Sequence, residues 1–247
     1  MNIVSPKGSE YGVGELLGET EEFRLYECVL PDGSPGILKI ATTPGHNGVL
    51  DREAFILDIL RKEAVAVEAE YARVKPDSKK KLNYAFNFPS LVESFISPEQ
   101  EGRRVLIVHF HEISKELADL APLGHLASRE HVRVDARTSA WILGKLLKIL
   151  VFAHSLGITF VTIDGDNILI NREEHYVALF DWSKAIRTSR GQRPPSAATR
   201  GDIESVAREV VLALGGNPAT ATIPDDPDLP DEYRDIVLSI ANGGFED

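Results

Sequence analysis

Asp164, Asp166 and Asn167 stand within one short run, Thr162-Ile163-Asp164-Gly165-Asp166-Asn167-Ile168-Leu169, and Asp181 follows in Phe180-Asp181-Trp182-Ser183. Side-chain oxygens of this kind are what a hard cation such as magnesium takes. The same Asp164-Gly165-Asp166 run also suits an ordinary turn, where Asp and Gly are favoured. Lys39 lies inside the apolar run Ile37-Leu38-Lys39-Ile40. His109 and His111 alternate along a strand-like run and so share one side; they would begin a metal site but have no evident third ligand. His154 reads as a hydrogen-bonded core histidine rather than an acid or base. Cations cluster in two places, Lys79-Lys80-Lys81 near Arg73 and Lys75, and Lys184, Arg187, Arg190, Arg193 and Arg200 after Ser183. Such runs are solvated loops or docking segments for anionic partners.

Composition limits what these residues can serve. The chain has 247 residues, 43% of them hydrophobic and 26% charged, enough to bury a core as one large domain or two small ones. Lys plus Arg number 27 against 38 Asp plus Glu, a net charge of −11, which argues against a general nucleic-acid binder or an anionic-membrane binder. Cys28 is the only cysteine, so no intrachain disulfide and no Cys-rich zinc site can form. The amino terminus has no basic start followed by an apolar stretch, and no apolar run reaches membrane-spanning length, since Lys145 and Lys148 break the best candidate. These features predict a soluble, cytoplasmic protein.

The elements that must position the candidates follow from hydrophobic spacing. Strands are expected over 22–30 and 36–41, joined through Pro31-Asp32-Gly33. Leu50, Ala54, Leu57, Leu60 and Ala64 recur at helical spacing and predict a helix from Leu50 to about Val74, with Asp51 and Glu53 in its first turn. Further strands are expected over 90–96 and 104–110. Asp135 is a plausible N-cap for an apolar helix over 136–155, ended by Gly157. Two short strands, 167–170 and 176–180, precede a loop over 183–201. A helix from Asp202 to Gly215-Gly216 and a short one near 230–241 close the chain. Trp182, large and apolar, is expected to pack beside the helix carrying Glu53. No internal repeat is present.

Several of these pieces fall in the order and spacing of a protein kinase, and the chain resembles that superfamily as a degenerate member. Lys39 resembles the strand lysine that holds the α- and β-phosphates, and Glu53 its ion-pair partner. The run from Thr162 to Leu169 resembles the catalytic loop, with Asn167 at its metal-binding asparagine, and Phe180-Asp181-Trp182 resembles the magnesium motif, with Asp181 as the metal carboxylate. Leu17-Gly18 looks like the start of a glycine-rich loop, and the strand ending at Val108 and Phe110 like the one that leads to an adenine-docking hinge. Asp202 looks like the acidic start of the helix that steadies the catalytic loop. The resemblance implies an α+β, bilobal protein-kinase-like fold. A strand-rich N-lobe would span 1–112, and a mainly helical C-lobe, truncated after the large central helix, 113–247. It implies ATP or ADP with magnesium as cofactor, with Gly18, Lys39, Glu53, Val108 and Phe110 binding the nucleotide and Asn167 and Asp181 the metal.

The departures from that pattern set the functional expectation. Counting back from Asn167, the position of the catalytic aspartate is held by Thr162, with Phe160 and Val161 where histidine and arginine would stand. A threonine hydroxyl is no general base at neutral pH without a stronger base beside it, and such assistance is worth about 10²–10⁴-fold. The phosphate loop reads Gly18-Glu19-Thr20-Glu21-Glu22-Phe23, with one glycine and three carboxylates. Asp164 stands where a phosphate-touching lysine is common; a carboxylate about 5 Å from phosphate charge is repelled by roughly 3 kcal/mol per unit charge at an effective dielectric near 20. The expectation is a pseudokinase acting as a binding or regulatory module with a protein partner, with magnesium-nucleotide binding as an option. The alternative is an active ATP-dependent phosphotransferase on a protein or small molecule in which Asp164 replaces the missing base.

Overall fold

The computed structural model describes residues 2–79, 82–110, 114, 116–130, 132–189 and 191–244. Lys80, Lys81, His111 and Arg190, all noted above, lie outside the described residues. The chain divides into two compact units, one of residues 1–120 with 181–184, the other of 121–180 with 185–247.

The first unit is built on β1 (Asn2–Val4), β2 (Glu10–Glu19), β3 (Phe23–Val29), β4 (Pro35–Ala41), α1 (Asn47–Val74), β5 (Ser90–Ser97) and β6 (Arg103–His109). The strands form one antiparallel sheet in the order β1-β2-β3-β4-β6-β5. β4 lies in its middle and is buried along almost its whole length. Strand side chains alternate between faces. Leu38 and Ile40 join Ile3, Tyr11, Cys28, Leu30, Phe95, Val105 and Ile107 on one face. Lys39 therefore points to the other, paired with Leu106 and flanked by the Ile37–Val108 pair. A slip of one residue would send the lysine into the apolar cluster. The side of α1 carrying Leu50, Ile56, Leu57, Leu60 and Ala64 is buried.

Two expectations needed correction in this unit. The segment 10–19 was not foreseen as a strand, yet β2 is ten residues long; register shifts between Val13 and Leu16 and between Leu16 and Gly18 break the period of two that would have revealed it. The helix begins at Asn47 rather than Leu50, so Asp51 and Glu53 lie beyond its first turn. A long-range anchor sets that start: the Asn47 side chain donates to Gly102 O at 2.9 Å and accepts from Arg104 N at 2.7 Å.

The second unit carries β7 (Leu120–Pro122), α2 (Leu123–Ser128), α3 (Ala136–Ser155), β8 (Ile158–Thr159), β9 (Ile168–Asn171), β10 (Tyr176–Leu179), β11 (Ile186–Arg187), α4 (Ser196–Ala213) and α5 (Asp231–Ala241). α3 runs over the residues its pattern predicts, with Asp135 accepting from the Thr138 N–H at 2.7 Å as its N-cap. Gly157, at φ +76°, ends it in the left-handed region. β9 and β10 form a hairpin, and β8 pairs with β11. α4 begins at Ser196, earlier than Asp202, directly after Pro194-Pro195. Its opening residues, Ser-Ala-Ala-Thr-Arg-Gly, have no apolar period to signal a helix. No helix among the described residues is long and apolar enough to cross a membrane.

Removing the α3 cap by Asp135→Ala is expected to cost about 1 kcal/mol, as such caps usually do. Urea unfolding of the variant against the parent protein measures it.

Candidate functional site

In the first unit, β4, α1 and the segment 181–184 bring three charged side chains together. Lys39 Nζ lies 2.6 Å from Glu53 Oε1 and 2.9 Å from Asp181 Oδ1. The Trp182 N–H donates to Glu53 Oε1 at 3.3 Å, and the Ser183 N–H to Asp181 Oδ1 at 3.1 Å. The Trp182 ring is fully buried against the edge of Phe88, with centroids 5.4 Å apart. That backbone bond to Glu53 puts Trp182 beside α1.

Phe23 completes the enclosure. It opens β3 after a tight turn in which Thr20 N donates to Phe23 O and Phe23 N to Thr20 Oγ1. Leu25 pairs with Lys39, and Phe23 with Ala41, so the Phe23 ring and the lysine share one face as diagonal neighbours. The ring centroid stands 4.8 Å from Lys39 Nζ, within cation–π range. Lys39 is 0% exposed and Phe23 2%. The Asp181 side chain keeps 29% of its surface.

Burial and charge pull these groups in opposite directions. Burial pushes the Glu53 carboxyl up to about 7, with Asp181 adding to the rise and Lys39 opposing it. Glu53 Oε2 is buried without a hydrogen-bond partner among the described residues. Burial works against the Lys39 charge, yet the carboxylates of Asp181 and Glu53 outweigh it and hold the ammonium above its usual range. Asp181 is also desolvated, but the attraction of Lys39 carries its carboxyl below the usual value.

The other residues expected to bind nucleotide stand apart from this cluster in kind. Gly18 lies inside β2, paired with Leu25, so the backbone there is a strand rather than an open glycine loop. Val108 is fully buried and pairs with Ile37 and Leu91. Phe110 is buried as well, and His109 pairs with Ser90 at the end of β6. No group of three or more His, Cys, Asp or Glu able to hold a metal occurs among the described residues.

The second unit holds the remaining candidates. Asp164 and Asp166 are exposed and Asn167 is buried. The Asn167 N–H donates to Asp164 Oδ1 at 3.0 Å and to Asp164 O at 3.1 Å, closing a turn over Gly165. Gly124 N donates to Gly165 O at 3.0 Å, and a Cβ on Gly165 would stand 2.6 Å from the Gly124 Cα. Only glycine fits there. Thr162 is exposed. Asp202, 3% exposed on α4, accepts from Phe160 N at 3.1 Å and is 2.7 Å from His154 Nε2. It ties the loop backbone to the helix, and His154 is a hydrogen-bonded partner in that tie.

Two functional neighbours escaped the sequence reading. Phe23 gave no sign that its ring would cover a lysine sixteen positions further along the chain. Glu209 is the other: its carboxyl accepts from the Gly165 N–H, and burial first, then Asp164 and Asp166, raise it to about 7. A glutamate within Val206-Ala-Arg-Glu-Val-Val was the available signal.

Against the solved structures, the chain matches the autoinhibited serine kinase domain of the giant muscle protein titin with a TM-score of 0.58 and 19% identity. The fold is protein-kinase-like. The match covers 94% of this chain and 66% of that one, so the chain spans just under two thirds of the structure it resembles. No family model and no curated protein matches the sequence.

Replacing Lys39 by Ala leaves two carboxylates without their cation and is expected to cost about 3–5 kcal/mol in urea unfolding, the range for breaking a buried pair. Glu209 imposes a pH dependence. Its folded pKa of about 7 exceeds the unfolded value, so the folded protein holds the extra proton and stability falls as pH rises from about 4.5 to about 7. Glu209→Gln is expected to flatten that part of the profile, measured as the melting midpoint across pH.

Proposed function

We propose that the protein is a pseudokinase, a kinase-like fold that works in the cytoplasm as a binding or regulatory module without efficient phosphotransfer. The observation that carries the reading is the enclosure of Lys39. A lysine that grips phosphate must present its ammonium to a ligand. This one is wholly buried, bonded to two carboxylates and covered by the Phe23 ring. Thr162 at the base position supports the same reading, because its hydroxyl lacks the basicity to take a proton from a substrate.

A magnesium nucleotide is the cofactor this fold suggests, and its two halves fare differently. The oxygen chemistry of Asp181 suits magnesium. The triphosphate does not fit as the side chains stand: Lys39 is already neutralised, and the turn at Thr20 leads into a buried phenyl ring instead of a run of approachable backbone N–H groups. We therefore assign no phosphate-transfer step to these residues. The second reading, an active phosphotransferase using Asp164, has one observation in its favour. That side chain is exposed, with its Oδ1 accepting from the Asn167 N–H.

Thermal unfolding with ATP or ADP and Mg²⁺, together with a radiolabelled phosphotransfer assay, tests the proposal. A ligand at a hundred times its dissociation constant adds about 2.7 kcal/mol to stability. The expected result is no nucleotide shift of that size and no turnover above background. Turnover that is lost in a folded Asp164→Asn variant would overturn the proposal in favour of the second reading.

A further inference from the structure

We propose that Lys145 on α3 is an acyl-acceptor site, where the lysine amine takes a short acyl group from a thioester. The proposal goes beyond the pseudokinase reading and does not rest on it. Among the described residues, Lys39 and Lys145 are the lysines that are not exposed. Lys39 meets its burial with two carboxylates. Lys145 has no such help: α3 carries Arg137, Lys145 and Lys148 and no Asp or Glu. β8 and β10, which pack against α3, have no carboxylate either. Those of α4 are engaged elsewhere, Asp202 with His154 and the Phe160 N–H, Glu204 with Arg208, and Glu209 with the Gly165 N–H. Among the described residues the charge that acts on Lys145 is that of Lys148, which repels it.

The helix leaves room for a reacting partner at this point. Trp141 and Lys148 stand three residues before and four residues after Gly144, so the three share one side of α3. Gly144 has no side chain between them, and a Cβ placed there would meet nothing within 4 Å among the described residues. Glycine is unfavourable in a helix interior relative to alanine, and no close neighbour here demands it. Lys145 borders the gap, four residues after Trp141 and three before Lys148. The Trp141 ring is steadied by His175 of the β9–β10 turn, edge-on with centroids 5.8 Å apart. An indole held in this way gives an acyl chain an apolar wall.

The chemistry follows from those surroundings. Burial first, and Lys148 second, hold the Lys145 amine below the usual lysine range. More of it is therefore uncharged near neutral pH than of a solvated lysine. The ammonium first gives one proton to water. The uncharged Nζ then attacks the thioester carbonyl carbon: a C–N bond forms, the C–S bond breaks, and a second proton from nitrogen leaves on the departing thiol. Nothing is oxidised or reduced. The amide that results is neutral, so the desolvated charge and its repulsion from Lys148 are removed together. A half-buried position of this kind accepts an amide more readily than an ammonium.

Treatment of the full chain with limiting S-acetyl-N-acetylcysteamine, an uncharged thioester, followed by peptide mass spectrometry, measures acetylation at each lysine. Near neutral pH, Lys145 is expected to react about threefold or more faster than the exposed Lys79 and Lys184, with a pH–rate midpoint below theirs. Gly144→Leu fills the gap and is expected to slow Lys145 about threefold or more, with Gly144→Ala as the milder version. Lys148→Gln removes the repulsion and is expected to slow it about twofold. Circular dichroism of each variant checks its fold. Reaction at Lys145 no faster than at Lys79 and Lys184, a midpoint as high as theirs, or a rate unchanged in folded Gly144→Leu would overturn the proposal. Neither nucleotide nor phosphotransfer enters these measurements, so the acyl site and the pseudokinase reading can fail separately.

Discussion

The first unit depends on one buried cation. Moving an ammonium and two carboxylates out of water costs several kcal/mol per ion, and only close, well-directed bonds offset that. Lys39 meets the requirement with bonds to Glu53 and Asp181, while Phe23 takes the remaining side. The arrangement works in a single strand register, because Leu38 and Ile40 on either side of the lysine belong to the opposite, apolar face. It also gives α1 and the segment 181–184 a shared partner on the sheet. Ionic attraction here acts mainly as a specification of which residues meet.

In the pseudokinase reading proposed above, the same cluster is where kinase-like geometry and kinase chemistry part company. An ion pair between strand lysine and helix glutamate is preserved, but its charge is consumed locally. The second unit repeats the theme. Asp202 secures the backbone at Phe160, with His154 alongside, and the chain still turns through Asp164 to Asn167. The scaffold needs backbone donors and acceptors in place; it has no need of a carboxylate at Thr162, and so the loop keeps its course without one.

Much of this was legible from residue order. Lys39, Glu53 and Asp181 were named through the resemblance to a protein kinase, and the three do meet. α3 was readable end to end because a capping aspartate, an unbroken apolar stripe and a terminal glycine all agree. β2 was hidden, since its bulges disrupt alternation, and β1 is only three residues long. The opening of α4 was hidden because six small and polar residues precede its apolar stripe. Phe23 shows a different limit. Its effect on Lys39 comes from cross-strand diagonal placement, which no local pattern contains.

The close approach of Gly124 and Gly165 has a consequence for how this chain can change. A Cβ on Gly165 would stand 2.6 Å from the Gly124 Cα, whereas one on Gly124 would stand 2.9 Å from Asp166 Oδ1 and 3.1 Å from the Gly165 carbonyl carbon. Gly165 is thus held to glycine by the Gly124 backbone, while the room at Gly124 is limited first by the Asp166 side chain. The stretch joining Asp164 to Asn167 can therefore vary in its exposed carboxylates far more freely than at the bare backbone of Gly165 between them.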